Sequence, residues 1–238
     1  MARTLVIGDT HAPFTHRYYL EFCQRIRDKH RCDRVIHIGD EVDNHALSFH
    51  TSETDSAGPA MEAELAQDSL YGWYEAFPKV DVCLGNHSRL PERKAKEASI
   101  PSKFLKSYAD MWDSPKGWRW AMDWRVDGTL FTHGTLCGKT AHIRLAESNR
   151  CSAVQGHTHC FGGVQYLASK HDLIFGMNVG CGIDIEAYSF RYGRDFASRP
   201  TLGCGVVVDG VEAYFEPMLF KNKRLRRPQI VVPKGGKR

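Results

Sequence analysis

Four short apolar runs each end in glycine: Leu5-Val6-Ile7-Gly8, Val35-Ile36-His37-Ile38-Gly39, Val80-Asp81-Val82-Cys83-Leu84-Gly85 and Ala153-Val154-Gln155-Gly156. Blocks this rich in β-branched residues and too short for a helix predict buried strands that end in sharp turns. Helical patterns lie between them. Tyr19, Phe22, Cys23 and Ile26 recur at i, i+3, i+4, i+7 and predict an amphipathic helix over about residues 15–30. Residues 59–77, 91–110 and 139–150 read as helices too. Later the texture turns to consecutive strands at 163–168, 173–179, 202–208 and 211–219, with Asp209-Gly210 as a hairpin turn. Strand–helix alternation and then a run of strands predict an α/β fold of two packed sheets flanked by helices.

With 238 residues and 42% hydrophobic content, the chain suits one α/β domain over 1–220. Residues 44–78 read as an insertion near the strand ends, where it would shape substrate access. No stretch reaches the roughly 18 apolar residues of a membrane span, and the N-terminus runs directly into a strand, so a cytoplasmic protein with no membrane partner is expected. Eight cysteines without a C-x-x-C pair fit reduced thiols and speak against a zinc ribbon. The net charge of +4 is uneven: residues 221–238 hold eight Lys/Arg and no acid. Such a tail either grips nucleic-acid phosphates or is a flexible, solvated terminus. The sequence carries no sign of oligomeric state.

The residues just after these glycines carry chemistry. Asp9 and His11 come after Gly8, Asp40 after Gly39, Asn86 and His87 after Gly85, and His157 and His159 after Gly156; His133 closes the run Leu130-Phe131-Thr132. Residues two apart on an extended chain point the same way, so Asp9 with His11, and His157 with His159, could each present a pair of ligands. Open sheets gather ligands at the carboxyl ends of their strands. Carboxylate, imidazole and amide oxygen without thiolate favour Mn²⁺, Fe, Zn²⁺ or Ni²⁺, and two such ions side by side are hydrolytic machinery.

The series GDTH (8–11), GDEVD (39–43), GNHS (85–88), THG (132–134) and GHTH (156–159) resembles the calcineurin-like metallophosphoesterase family, and Asn178-Val179-Gly180-Cys181 resembles its later N-P-G-S turn. The resemblance implies a four-layer αββα sandwich of two mixed sheets with the metal site at strand C-terminal ends. It implies two divalent cations, Mn²⁺ first, and phosphate-ester hydrolysis by a hydroxide bridging them. By position, Asp9, His11 and His159 would bind one ion, Asn86, His133 and His157 the other, and Asp40 both; His87 would act beside the leaving group. The family usually has an acid after the GNH histidine, where it can orient the imidazole. Here it is Ser88, which brings a hydroxyl and no charge, so a smaller elevation of the His87 pKa is expected. GDEVD continues into Asn44 instead of the Arg-Gly of the protein serine/threonine phosphatase branch.

Other residues divide between two readings. Asp43 is an orienting partner for a ligand or part of an Asx-type turn. Arg89 clamps a substrate phosphate or pairs on a helix surface, with Arg93 one turn on. His37 reads as a core histidine, and His45 and His50 as cleft or surface. Trp112, Trp118, Trp120 and Trp124 form a base-stacking platform or pack in the core, and Cys160 packs. The function expected from these residues is that of a phosphodiesterase acting on nucleic acid or nucleotide. A phosphomonoesterase for a nucleotide, small metabolite or phosphoprotein is the alternative, and a non-catalytic scaffold retaining the fold is a third.

Overall fold

Alternation along the first strand, β1 (Arg3–Ile7), sets the layers. Leu5 and Ile7 point to one side, into a cluster with Tyr19, Phe22 and Trp73; Val6 points to the other, against Phe131, Val154 and Met177. A strand buried on both faces needs a covering layer on each side, and here helices supply one and a second sheet the other. A computed structural model describing residues 1–49, 58–187 and 198–220 has this arrangement.

The helix α1 (Tyr19–His30) leads from β1 to β2 (Arg34–His37), and α2 (Pro59–Ala76) from β2 to β3 (Val80–Cys83). Pro59 suits the first turn of α2, where a missing N–H costs nothing. Ala66, Leu70 and Trp73 of α2 enter the same cluster as Leu5 and Ile7, so much of the segment 59–76 packs as a helical layer on the first sheet. That sheet has six strands in the order β11-β10-β1-β2-β3-β4, with β4 at Trp118–Ala121, β10 at Gly203–Val208 and β11 at Glu212–Pro217. Strands β1 to β4 are parallel; β10 and β11 run antiparallel. The second sheet has the order β5-β6-β7-β9-β8, made of Asp123–Val126, Thr129–Thr132, Ala153–Gln155, Leu173–Val179 and Gly162–Ala168. Its parallel centre is β6, β7 and β9. The helix α5 (Ala141–Asn149) covers its outer face through Ala146, which packs with Leu130 and Ala153. Two mixed sheets thus lie between helical layers, as the sequence predicted.

The β10–β11 hairpin turns at Asp209 and Gly210, both with positive φ (50° and 69°), the pair of conformations a two-residue turn needs. The expected helix 91–110 is broken. It forms α3 (Leu90–Glu97), a 3-10 turn at Ser102–Phe104 and α4 (Tyr108–Met111). Ser99 adopts φ 56°, and Pro101 offers no N–H to continue the ladder. Strands β4 and β5 had no sequence reading. His37 is buried in the core, and so are Trp112 and Trp118, while Trp120 and Trp124 pack against it, which takes the four tryptophans out of any stacking platform. His50 and the basic stretch 221–238 lie outside the described residues. Among the described residues no helix is long and apolar enough to cross a membrane.

Candidate metal centre

The carboxyl ends of β1, β2, β3, β6 and β7 meet at one place between the two sheets, and each supplies a polar side chain there. Close approach there depends on two glycines. A Cβ on Gly85 would sit 2.0 Å from Asp40 Oδ1, and one on Gly156 would sit 2.1 Å from Asp9 Oδ1. His11, Asp40 and His157 all take positive φ (48°, 48° and 63°). For residues with a Cβ this costs about 1 kcal/mol or more each, a strain that recurs at functional sites.

All seven expected ligands converge. Asp9, His11 and His159 offer ligand atoms within 4.8 Å of one another, and so do Asp9, Asp40 and His133. His159 Nε2 lies 2.9 Å from Asp9 Oδ2 and 3.2 Å from His11 Nε2. In the other group, His133 Nε2 lies 2.9 Å from Asn86 Oδ1, 3.2 Å from His157 Nδ1 and 3.1 Å from Asp40 Oδ2. Asp40 Oδ2 is also 3.9 Å from His11 Nε2, which sets this carboxylate between the groups. Its other oxygen accepts from the amides of His87 (2.7 Å) and Ser88 (3.2 Å).

These donors fit a pair of divalent cations. Neighbouring donors stand about 3 Å apart, the spacing kept by ligands roughly 2.1 Å from a common ion. Asp9 Oδ1 is buried without a hydrogen-bond partner among the described residues, a cost that a cation's charge offsets. Burial works to raise the Asp9 and Asp40 pKa values, yet His133 beside both keeps them below the ordinary range. Burial alone would lower His133; the negative charge of Asp40 and Asp9 instead holds it up to about 9. Removing cation charge thus leaves a proton in its stead.

Asp43 organises the rim. Its Oδ1 lies 2.6 Å from His11 Nδ1 and 3.2 Å from His87 Nδ1, and its carbonyl accepts from His87 Nδ1 at 2.7 Å. A proton on His11 Nδ1, donated to Asp43, leaves Nε2 as the lone-pair nitrogen facing Asp9, Asp40 and His159. The His11, Asp43 and His87 ligand atoms also cluster, through these hydrogen bonds. Burial disfavours charge on His87, but the hydrogen bond to Asp43 and the charge of Asp40 raise it to about 10. The elevation expected to shrink for want of an acid at position 88 is therefore large, because Asp43 supplies the charge.

Ser88 turns away from the imidazole. Its Oγ donates to Glu41 Oε2 (2.6 Å) and accepts from the amides of Asp40 (3.2 Å) and Gly85 (3.3 Å), locking the two loops together. Glu41, whose other oxygen accepts from Trp120 Nε1 (3.2 Å), is wholly buried, and burial pushes it up to about 7. Sequence reading assigned Glu41 no role, and none to Cys137, whose Sγ lies 3.4 Å from His157 Nε2. Glu41 lies in the loop after β2, between Asp40 and Val42, and nothing in its immediate sequence marks it as buried. Arg89 pairs with Glu92 at 3.1 Å on the surface of α3. His45 is buried, with Nδ1 3.9 Å from Asp43 Oδ2, and Asn178 ties β9 to the GHTH loop by donating to the Gly156 carbonyl (3.3 Å).

Fold and site together define a hydrolase of phosphate esters that works through a dinuclear metal centre. The chain belongs to the calcineurin-like phosphoesterase family, whose model matches residues 2–157. No curated protein matches it. Among solved structures it is similar to a metallophosphoesterase from Sphaerobacter thermophilus (16% identity, TM-score 0.47, covering 92% of this chain and 89% of that one). It is similar as well to the Pseudomonas putida nuclease MPE (14%, TM-score 0.38, 90% and 86%) and to Vacuolar Protein Sorting 29 from Cryptosporidium parvum (11%, TM-score 0.43, 91% and 97%).

Proposed function

We propose that the chain hydrolyses phosphodiesters of nucleic acids or nucleotides with a pair of Mn²⁺ ions. In this reading Asp9, His11 and His159 hold one ion, Asn86, His133 and His157 the other, and Asp40 bridges them. The observation that carries it is the position of Asp40 Oδ2, 3.1 Å from His133 Nε2 on one side and 3.9 Å from His11 Nε2 on the other. Bound there, the ions would lower the pKa of a water molecule and offset the charge of the phosphoryl oxygens.

The chain's own groups do the rest. Asp43 holds His11 in one tautomer and anchors His87 by Nδ1. His87 is left with Nε2 for the substrate, and its side chain is 30% exposed at the rim of the site. A proton held there suits protonation of the leaving oxygen. Arg89, two residues on, is placed to meet a phosphate by exchanging its Glu92 partner. The diester preference is supported by the basic residues 221–238 and by the absence of Arg-Gly after GDEVD. The free cysteines suit a cytoplasmic setting.

Turnover of bis(4-nitrophenyl) phosphate against 4-nitrophenyl phosphate with Mn²⁺ tests the reading. A higher kcat/KM is expected for the diester. Preference for the monoester would make the chain a phosphomonoesterase, and no turnover with any metal would leave a scaffold.

A further inference from the structure

The stretch Arg89–Lys106, which begins two residues after His87, holds six Lys/Arg and two Glu, whereas the rest of residues 1–220 holds 18 Lys/Arg against 26 Asp/Glu. One strongly basic face on an acidic body is an electrostatic footprint. Arg89 and Lys94 have ion-pair partners in Glu92 and Glu97, while among the described residues no acid lies within ion-pair distance of Arg93, Lys96, Lys103 or Lys106.

Exposed aromatic rings sit among these charges. Phe49 is 44% exposed, with the Arg93 guanidinium carbon 4.8 Å and Lys94 Nζ 3.7 Å from its ring centre. Phe104 is 68% exposed beside Lys103 Nζ (5.1 Å). A groove of about 350 Å³ runs along residues 102–108 next to Phe104, lined in part by Glu92, Lys106 and Tyr108. Its wall is tied to the start of α3, just past His87: Arg89 and the Tyr108 hydroxyl both donate to Glu92 Oε2, at 3.1 and 3.3 Å. Partly exposed rings, cations over or beside them and a groove walled by Glu92, five residues past His87, are what a strand of unpaired bases requires: stacking surfaces together with charges for its phosphates.

We infer that the face formed by Phe49, α3 and residues 98–108 binds single-stranded nucleic acid and leads it to His87. The inference deepens the phosphodiesterase reading by naming the substrate class and the path. Bases stack on Phe49 and Phe104, and Arg93, Lys96, Lys103 and Lys106 meet phosphates. A duplex keeps its bases stacked on one another and gains only the charge contacts.

The test is binding, measured on the full chain in EDTA so that no turnover is needed. A fluorescein-labelled oligothymidylate of twenty nucleotides is titrated by anisotropy at several salt concentrations, against a duplex of the same length. Phe49→Ala with Phe104→Ala should weaken single-strand binding about tenfold or more, and have much less effect on the duplex. The set Arg93→Gln, Lys96→Gln, Lys103→Gln and Lys106→Gln should flatten the slope of log K against log salt by about 3, at roughly 0.7 per phosphate. Melting temperatures within a few degrees of the parent confirm that the variants fold. An oligonucleotide carrying 5-iododeoxyuridine should photo-crosslink within residues 49 and 89–108. Crosslinks confined to residues 221–238, or affinity unchanged in both variants, would overturn the inference. Monoester preference with this binding intact would instead remove the diester reading and leave the face standing.

Discussion

Asp43 Oδ1 lies 2.6 Å from His11 Nδ1, and this contact decides which nitrogen of His11 carries the proton. Asp43→Asn keeps an acceptor but loses the charge and admits the wrong amide orientation. Mn²⁺ affinity at the ion held by His11 should fall about 10- to 100-fold, the usual cost of losing a partner that orients a ligand. Calorimetric titration with Mn²⁺ measures it, and an unchanged isotherm would remove Asp43 from the site.

His87 touches the proposed ligands through its backbone amide, which donates to Asp40 Oδ1 at 2.7 Å and survives substitution of the side chain, while the imidazole meets the edge of the His11 ring, 4.7 Å between ring centres. His87→Ala should therefore retain both metal ions while kcat drops about 10²- to 10⁴-fold. The loss should be largest for esters with poor leaving groups, which need the proton most. Equal losses for nitrophenyl and alkyl esters would count against proton donation.

At Gly156 the space for a side chain is taken by Asp9 Oδ1, 2.1 Å from where a Cβ would be. Gly156→Ala must push either the carboxylate or the loop aside, an overpacking cost of about 1–3 kcal/mol. Metal content by mass spectrometry should fall below two ions per chain, with a lower melting temperature. Full occupancy at an unchanged melting temperature would show that the loop yields freely.

Buried His37 gives the fold a pH dependence of its own. Thr10 Oγ1 donates to the Glu41 carbonyl at 2.9 Å and so accepts from His37 Nε2 at 3.0 Å, while His37 Nδ1 accepts from the Gly39 amide at 3.2 Å. Only the neutral ring satisfies both contacts, and burial lowers its pKa to about 4. An unfolded histidine binds a proton below about 6.5, whereas the folded one does not until about 4. Stability is therefore complete above pH 6.5 and declines by about 3 kcal/mol as pH falls towards 4. Denaturant melts of the parent and of His37→Gln across pH 4–7 measure it; the parent should lose more stability than the variant over that range, and parallel curves would refute the assignment.

Strand ends were legible in the sequence because burial on both faces writes itself as runs such as Leu5-Val6-Ile7, and because a carboxylate pressed against a turn demands glycine at 85 and 156. The proposed ligands other than His133 stood out as the polar residues that follow such glycines. Less legible was what depends on partners far along the chain. Glu41 gains its role from Ser88, 47 positions away, and Ser88 in turn serves Glu41 and the two loops, not the imidazole. Asp43 takes over that service because the loop after β2 brings it under both His11 and His87. The helix expected at 91–110 failed for a local reason: Ile100-Pro101 cannot continue an i to i−4 ladder, and Ser107, which accepts from the Asp110 amide at 3.1 Å, restarts the helix.

The placing of β1 between β2 and β10 bears on how the protein is made. Arg3 pairs with Val208 and Ile7 with Cys204, so β1 acquires its antiparallel neighbour only after about 200 further residues have been synthesised. Until then one edge of β1 is uncovered. Every proposed ligand has been translated by residue 159, yet β1, which leads into Asp9, is enclosed only once β10 has followed, so metal affinity in a nascent chain is tied to the arrival of β10 and not to that of the last ligand.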